Sequence, residues 1–240
     1  MQPSSVRRYI GTFHKSGTAL FESILVGARA EGLLTPWLFH EGPEPDHWDI
    51  GFDYHTKTLT NTLEPDPDKA RYVVCVRDPR DLVISATYYH ARSDEEAWLL
   101  EPKPEFGGLS YQQKINSYPN MADRFLFEME NASYWQIFEM GRVPQDQPSL
   151  RMTRLETLVQ DYELWEFHRI FSHLRFDANA IVALLRLALD NSLFSGRVAP
   201  SIHARSGKPA QYLKEFDDRT MARFKEIFGN VAERLGYPAA

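Results

Sequence analysis

The run from Val6 to Ala28 constrains the fold most. β-Favouring residues lead to Phe13, the loop Gly11-Thr12-Phe13-His14-Lys15-Ser16-Gly17-Thr18 follows, and Leu20, Phe21, Ile24, Leu25 and Ala28 recur at helical spacing. A short buried strand that turns through a glycine-containing loop into a helix aims the helix's first unpaired amides at the loop. That end carries the positive pole of the helix dipole and suits an anion such as phosphate. The lysine placement narrows the reading. A Walker A loop has lysine directly after its second glycine, whereas Lys15 stands two residues before Gly17, so a generic ATPase or kinase loop fits poorly.

Size and composition bound the rest. A chain of 240 residues, 43% hydrophobic and 25% charged, is long enough to bury a core as one α/β domain without disulfides or a structural metal. We read residues 1–240 as a single domain. No apolar run approaches the roughly 18 residues of a membrane span, and the polar loop after Val6–Phe13 argues against a secretory signal. Cys75, the only cysteine, falls in the apolar run Tyr72–Val76 and reads as a buried thiol suited to a reducing cytoplasm. A formal charge of −6 argues against nucleic acid or a long polyanion as partner, while a small anionic ligand needs only a local cationic cluster.

Along the chain the pattern predicts strand 6–13, helix 18–31, a Pro/Gly-rich connection through Pro36, Gly42, Pro43 and Pro45, and a short strand at 49–53. The strongest strand, 71–76, leads into Asp78-Pro79-Arg80-Asp81. There Asp78 reads as N-cap, Pro79 as the first helical residue and Asp81 as a partner of the helix dipole, in a helix reaching His90. Residues 93–120 read equally as a lid or insertion and as an ordinary surface excursion. Helical periodicity returns at 121–140, 162–173, 179–189 and 218–228, with a strand at 150–153. Alternating strands and helices predict an α/β, P-loop-like three-layer fold: a central parallel sheet flanked by helices, with a ligand at the carboxyl ends of its strands.

Arg77 at a strand end and Ser85 eight residues later could supply a guanidinium fork and a hydroxyl to a terminal phosphate; equally, Arg77 could be a surface ion-pair partner and Ser85 a helix hydroxyl bonded to the main chain. Together the motifs resemble the sulfotransferases that use 3′-phosphoadenosine 5′-phosphosulfate (PAPS). Phe13–Thr18 matches their 5′-phosphosulfate loop, an aromatic residue, one spacer, then Lys-Ser-Gly-Thr. The segment from Tyr72 to Ser85, followed by Tyr88-Tyr89-His90, is similar to their 3′-phosphate region. Arg205, Gly207, Tyr212 and Phe216 keep the spacing of their C-terminal signature, with departures: Ser206 stands for lysine, Ala210 for glycine, Gln211 for an acid and Tyr212 for tryptophan.

The resemblance implies transfer of a sulfuryl group to an acceptor hydroxyl, with adenosine 3′,5′-bisphosphate (PAP) as product and no metal. His14, Lys15, Ser16, Gly17, Thr18 and Ala19 would bind the 5′ end of the donor, and Arg77, Ser85, Arg205, Ser206 and Gly207 the 3′-phosphate. Lys15 and His55 would be catalytic. His55 stands 22 residues before Arg77, where the cytosolic members carry their histidine base, and an imidazole is partly free to accept a proton at neutral pH. His14, Glu41 and Glu44 are the competing bases. Leu20 occupies the position of the usual adenine-stacking tryptophan, and Phe194 is a further adenine candidate. The acceptor, a small molecule or glycan, and any homo-oligomer are not legible. A small-molecule or nucleotide kinase and a noncatalytic nucleotide-binding module are the alternatives.

Overall fold

The computed structural model describes residues 6–54, 56, 63–197 and 208–239. Among these, the strands and the helices of six or more residues run β1 (Arg7–Thr12), α1 (Thr18–Ala30), β2 (Pro36–Leu38), β3 (Ile50–Asp53), β4 (Ala70–Val76), α2 (Pro79–His90), α3 (Tyr111–Asn116), α4 (Met121–Glu130), α5 (Ala132–Met140), β5 (Leu150–Arg154), α6 (Trp165–His173), α7 (Ala178–Asn191) and α8 (Asp218–Phe228). The expected α/β architecture is present, a parallel five-stranded sheet with flanking helices. The chain forms two compact units, one of residues 1–77 and 142–199 and the other of 78–141 and 200–240.

The first unit holds the whole sheet, in the order β2-β3-β1-β4-β5. Every pairing is parallel; β1 lies between β3 and β4, with Gly11 opposite both Asp53 and Val74. Because the chain leaves β1 for one side of the sheet and later returns to the other, the carboxyl end of β1 is a topological switch point, where open α/β sheets leave a crevice. Ile10, Phe52 and Val73 form a buried core with Phe21, Ile24, Leu25 and Ala28 of α1, Phe167, Ile170 and Phe171 of α6, and Leu184, Leu187 and Ala188 of α7. The i, i+3, i+4, i+7 spacing of the α1 residues puts them on one stripe, and that stripe is what holds the helix on the sheet. Cys75 is buried and free, and burial raises its thiol pKa well above the ordinary value.

The second unit is helical. Ten of the twelve residues of α2 are buried, the exceptions being Ser85 and Tyr88. Tyr89, Leu99, Tyr111, Ile115 and Phe127 form a separate core, with Trp98 and Phe106 against it. Beside it Glu128 accepts hydrogen bonds from Tyr111 (3.0 Å) and Ser133 (2.7 Å) and lies 2.8 Å from His90 Nδ1, so a buried carboxylate is met by three side chains. Burial and the neighbouring Glu128 push the Tyr111 hydroxyl far above its ordinary pKa.

Three local readings differ from the pattern. The periodic run 121–140 is two helices, because Asn131 leaves the helical region and its side chain donates to the Phe127 carbonyl, competing with the main-chain ladder. The Pro/Gly-rich connection contains β2, an edge strand that begins at Pro36, where a missing N–H is tolerated. Residues 111–116 form α3, opened by a reciprocal capping box between Ser110 and Gln113.

Candidate active site

The loop after β1 is built by its own side chains. Ser16 is fully buried: its hydroxyl accepts from the Phe13 N–H (2.7 Å) and reaches the Phe13 and Cys75 carbonyls (2.7 and 3.2 Å). Its main-chain N–H donates to the Phe13 carbonyl at 2.9 Å. Ser16 therefore pins the loop to the end of β4 from within, and both of its groups are engaged in the protein. Thr12 and Thr18 share a hydroxyl contact of 2.9 Å that ties the strand's last residue to the helix's first. The backbone turns twice through the left-handed region, at Lys15 (φ 61°) and Gly17 (φ 102°). A Cβ on Gly17 would also stand 3.3 Å from Leu155 and 3.4 Å from Cys75, so geometry and space both call for glycine.

Gly17 is the N-cap of α1. No side chain caps this helix and no acid lies in its first turn, which leaves the positive end of the helix dipole without a local acid. Lys15, partly exposed, precedes this end by three residues. Arg77, the residue after β4, sends Nη1 to the Lys15 carbonyl at 3.0 Å. The structure thus brings together two predicted ligands that are 62 residues apart, and the link uses the lysine's main chain rather than its ammonium.

Ser85 belongs to the second unit. It shares with Tyr88 the one accessible stripe of α2, at i, i+3 spacing, while Asp78 caps the helix through Arg80 N (3.0 Å) and Pro79 takes its first position, as the sequence implied. His14 is half-buried. His55, Arg205, Ser206 and Gly207 lie outside the described residues. Glu41 is held by Arg29 at 2.8 Å, which lowers its pKa, and Glu44 accepts from Trp48 at 3.0 Å, so both alternative bases have local duties. Leu20 packs against the sheet core, and the Phe194 ring lies 5.1 Å from that of Tyr162. Among the described residues, no three His, Cys, Asp or Glu side chains cluster to hold a metal, and no helix is long and apolar enough to cross a membrane.

No protein-family model and no curated protein matches the chain. Solved structures do. Mouse sulfotransferase SULT7A1 in complex with PAP matches at a TM-score of 0.54 and 13% identity, over 97% of this chain and 87% of that one. Retinol dehydratase with androsterone and the inactive cofactor PAP matches at 0.56 and 14%, over 96% and 81%, and its complex with retinol and PAP at 0.57 and 14%, over 100% and 84%. The chain has the fold of these proteins.

Proposed function

We propose that this protein is a sulfotransferase that moves the sulfuryl group of PAPS to the hydroxyl of a small-molecule or glycan acceptor. The observation that carries the reading is the bond from Arg77 to the Lys15 carbonyl, at the mouth of a loop that opens an uncapped helix. It joins the two motifs that resemble the family's 5′- and 3′-phosphate sites. The solved neighbours hold PAP, and two of them hold androsterone or retinol, which favours hydroxyl-bearing small molecules as acceptors.

PAPS supplies the sulfuryl group and a bisphosphate leaving group. Lys15 and the first amides of α1 offer positive charge where the leaving 5′-phosphate becomes more negative. Arg77 and Ser85, with Arg205 and the main chain at Ser206 and Gly207, grip the 3′-phosphate. His55 takes the acceptor's proton as its oxygen bonds to sulfur and the bond from sulfur to the phosphate oxygen breaks. Lys15 supplies the charge for which a kinase would use Mg²⁺.

Isothermal titration with PAP and with ATP, each with and without Mg²⁺, tests the reading. PAP is expected to bind without metal, and Arg77→Ala to weaken it about ten- to hundredfold, the range of a lost charge-assisted hydrogen bond. ATP binding that requires Mg²⁺, with none for PAP, would assign the chain to the kinases. His55→Ala should remove most turnover at saturating donor, assayed across the neutral pH range. A variant as active as the parent across that range would pass the base role to another residue.

A further inference from the structure

The first turn of α2 is joined to a distant segment in a way that capping alone does not require. Arg80 is 1% exposed. Its Nε and Nη2 grip the two carboxylate oxygens of Asp78 at 2.8 and 2.6 Å, and its guanidinium lies over the ring of Tyr212, 3.8 Å from the centroid. Asp81, fully buried, does more than face the helix dipole: its Oδ1 accepts the main-chain N–H of Tyr212 at 3.0 Å. Tyr88 and Phe125 extend the attachment. The Tyr88 hydroxyl donates to Glu215 at 3.0 Å, and Phe125 packs 5.4 Å from Phe216. Just upstream, Ala210 is held at φ 56°, a left-handed conformation that a non-glycine residue keeps only where surrounding contacts impose it. This is the position at which the family resemblance expects glycine.

We propose that Arg80, Asp81 and Tyr212 form a latch that fixes the C-terminal segment on the helix bearing Ser85, and that the three are positioning residues for the 3′-phosphate of the donor. The inference rests on the sulfotransferase reading. Ser85 lies four residues beyond Asp81, one turn along α2, and Arg205 lies seven residues before Tyr212 in the chain. The segment from residue 208 onward is therefore held on α2 one turn from Ser85 before the ligand arrives. The latch uses only a ring face and a main-chain N–H of residue 212. Tyrosine thus does the work where the family signature has tryptophan.

The test compares PAP with adenosine 5′-monophosphate, which lacks the 3′-phosphate, by calorimetry on the parent, Tyr212→Leu and Tyr212→Trp. Hydrogen–deuterium exchange of the peptide covering 208–216 in the ligand-free proteins accompanies it. Tyr212→Leu is expected to weaken PAP at least tenfold, to leave adenosine 5′-monophosphate unchanged and to speed exchange at 208–216, with Tyr212→Trp restoring all three. Equal loss of both nucleotides would mean general damage and overturn the positioning role, as would PAP binding by Tyr212→Leu at the parent's affinity. Failure of the parent to bind PAP would instead refute the sulfotransferase reading. In that case slow exchange at 208–216 that Tyr212→Leu abolishes would still establish the latch, and unchanged exchange would refute it.

Discussion

Lys15→Ala is expected to lower sulfuryl-transfer turnover by about 10²- to 10³-fold while PAP binding stays measurable, the signature of a charge needed more in the transition state than in the ground state. The structure makes this a clean substitution. Arg77 bonds to the carbonyl of residue 15, so the contact that links β4 to the loop survives loss of the side chain. The backbone at residue 15 is already left-handed, and alanine bears the same strain there as lysine, so the substitution adds no backbone strain. Lys15→Arg separates charge from shape: partial rescue would show that a cation is required, and full rescue that its exact placement is not. The measurement is single-turnover transfer from PAPS, read beside the dissociation constant of PAP. If turnover were retained with PAP affinity lowered, Lys15 would hold the donor without assisting the chemistry.

The loop was legible because its chemistry is local. A strand, a glycine that must turn left-handed and a helical stripe fall within 23 residues, so periodicity and residue type give β1, α1 and the position of Lys15 together. The start of α2 was legible for the same reason: Asp78 and Pro79 carry a cap and a first helical position in their own identities. What the sequence could not convey is where polar groups turn. Ser16 belongs to the motif, yet its hydroxyl is directed to Phe13 and Cys75 and its amide to Phe13, so it organises the loop instead of facing outward. The short sequence Asp78-Pro79-Arg80-Asp81 reads as a helix start and nothing more, because the partner of Asp81 is an N–H 131 residues away. Ala210 looked like a plain departure from the signature until its φ of 56° showed that the backbone still adopts the conformation glycine would have supplied. Contacts of that separation leave no trace in periodicity. A signal was present at Ser110-x-x-Gln113, the spacing of a capping box, which marks α3 inside the stretch 93–120 that reads equally as a lid or insertion and as a surface excursion.

Asp78→Ala should cost about 3–5 kcal/mol of folding stability, because it breaks a buried ion pair from one side. Asp78 is 3% exposed and Arg80 1%, and the carboxylate has two tasks: it caps α2 through the Arg80 N–H and holds the Arg80 guanidinium with both oxygens. Loss of a cap alone is worth about 1 kcal/mol. The larger part comes from the guanidinium, which would keep the Tyr212 face and the charge of Asp81 but lose the carboxylate that holds it with both oxygens. Asp78→Ser should retain the cap and still lose the pair. The double variant Asp78→Ser with Arg80→Met should then recover most of the stability lost in Asp78→Ser, because a buried pair replaced as a whole by well-packed neutral groups is often close to neutral. That variant would also lack the cation over Tyr212, so its stability should return while its affinity for PAP does not. Urea denaturation midpoints of the three proteins decide the point. A loss no greater than that of a cap for Asp78→Ala would mean that solvent or another acceptor takes over the guanidinium, and the first turn of α2 would then owe its rigidity to Asp81 and Tyr212 rather than to the Asp78–Arg80 pair.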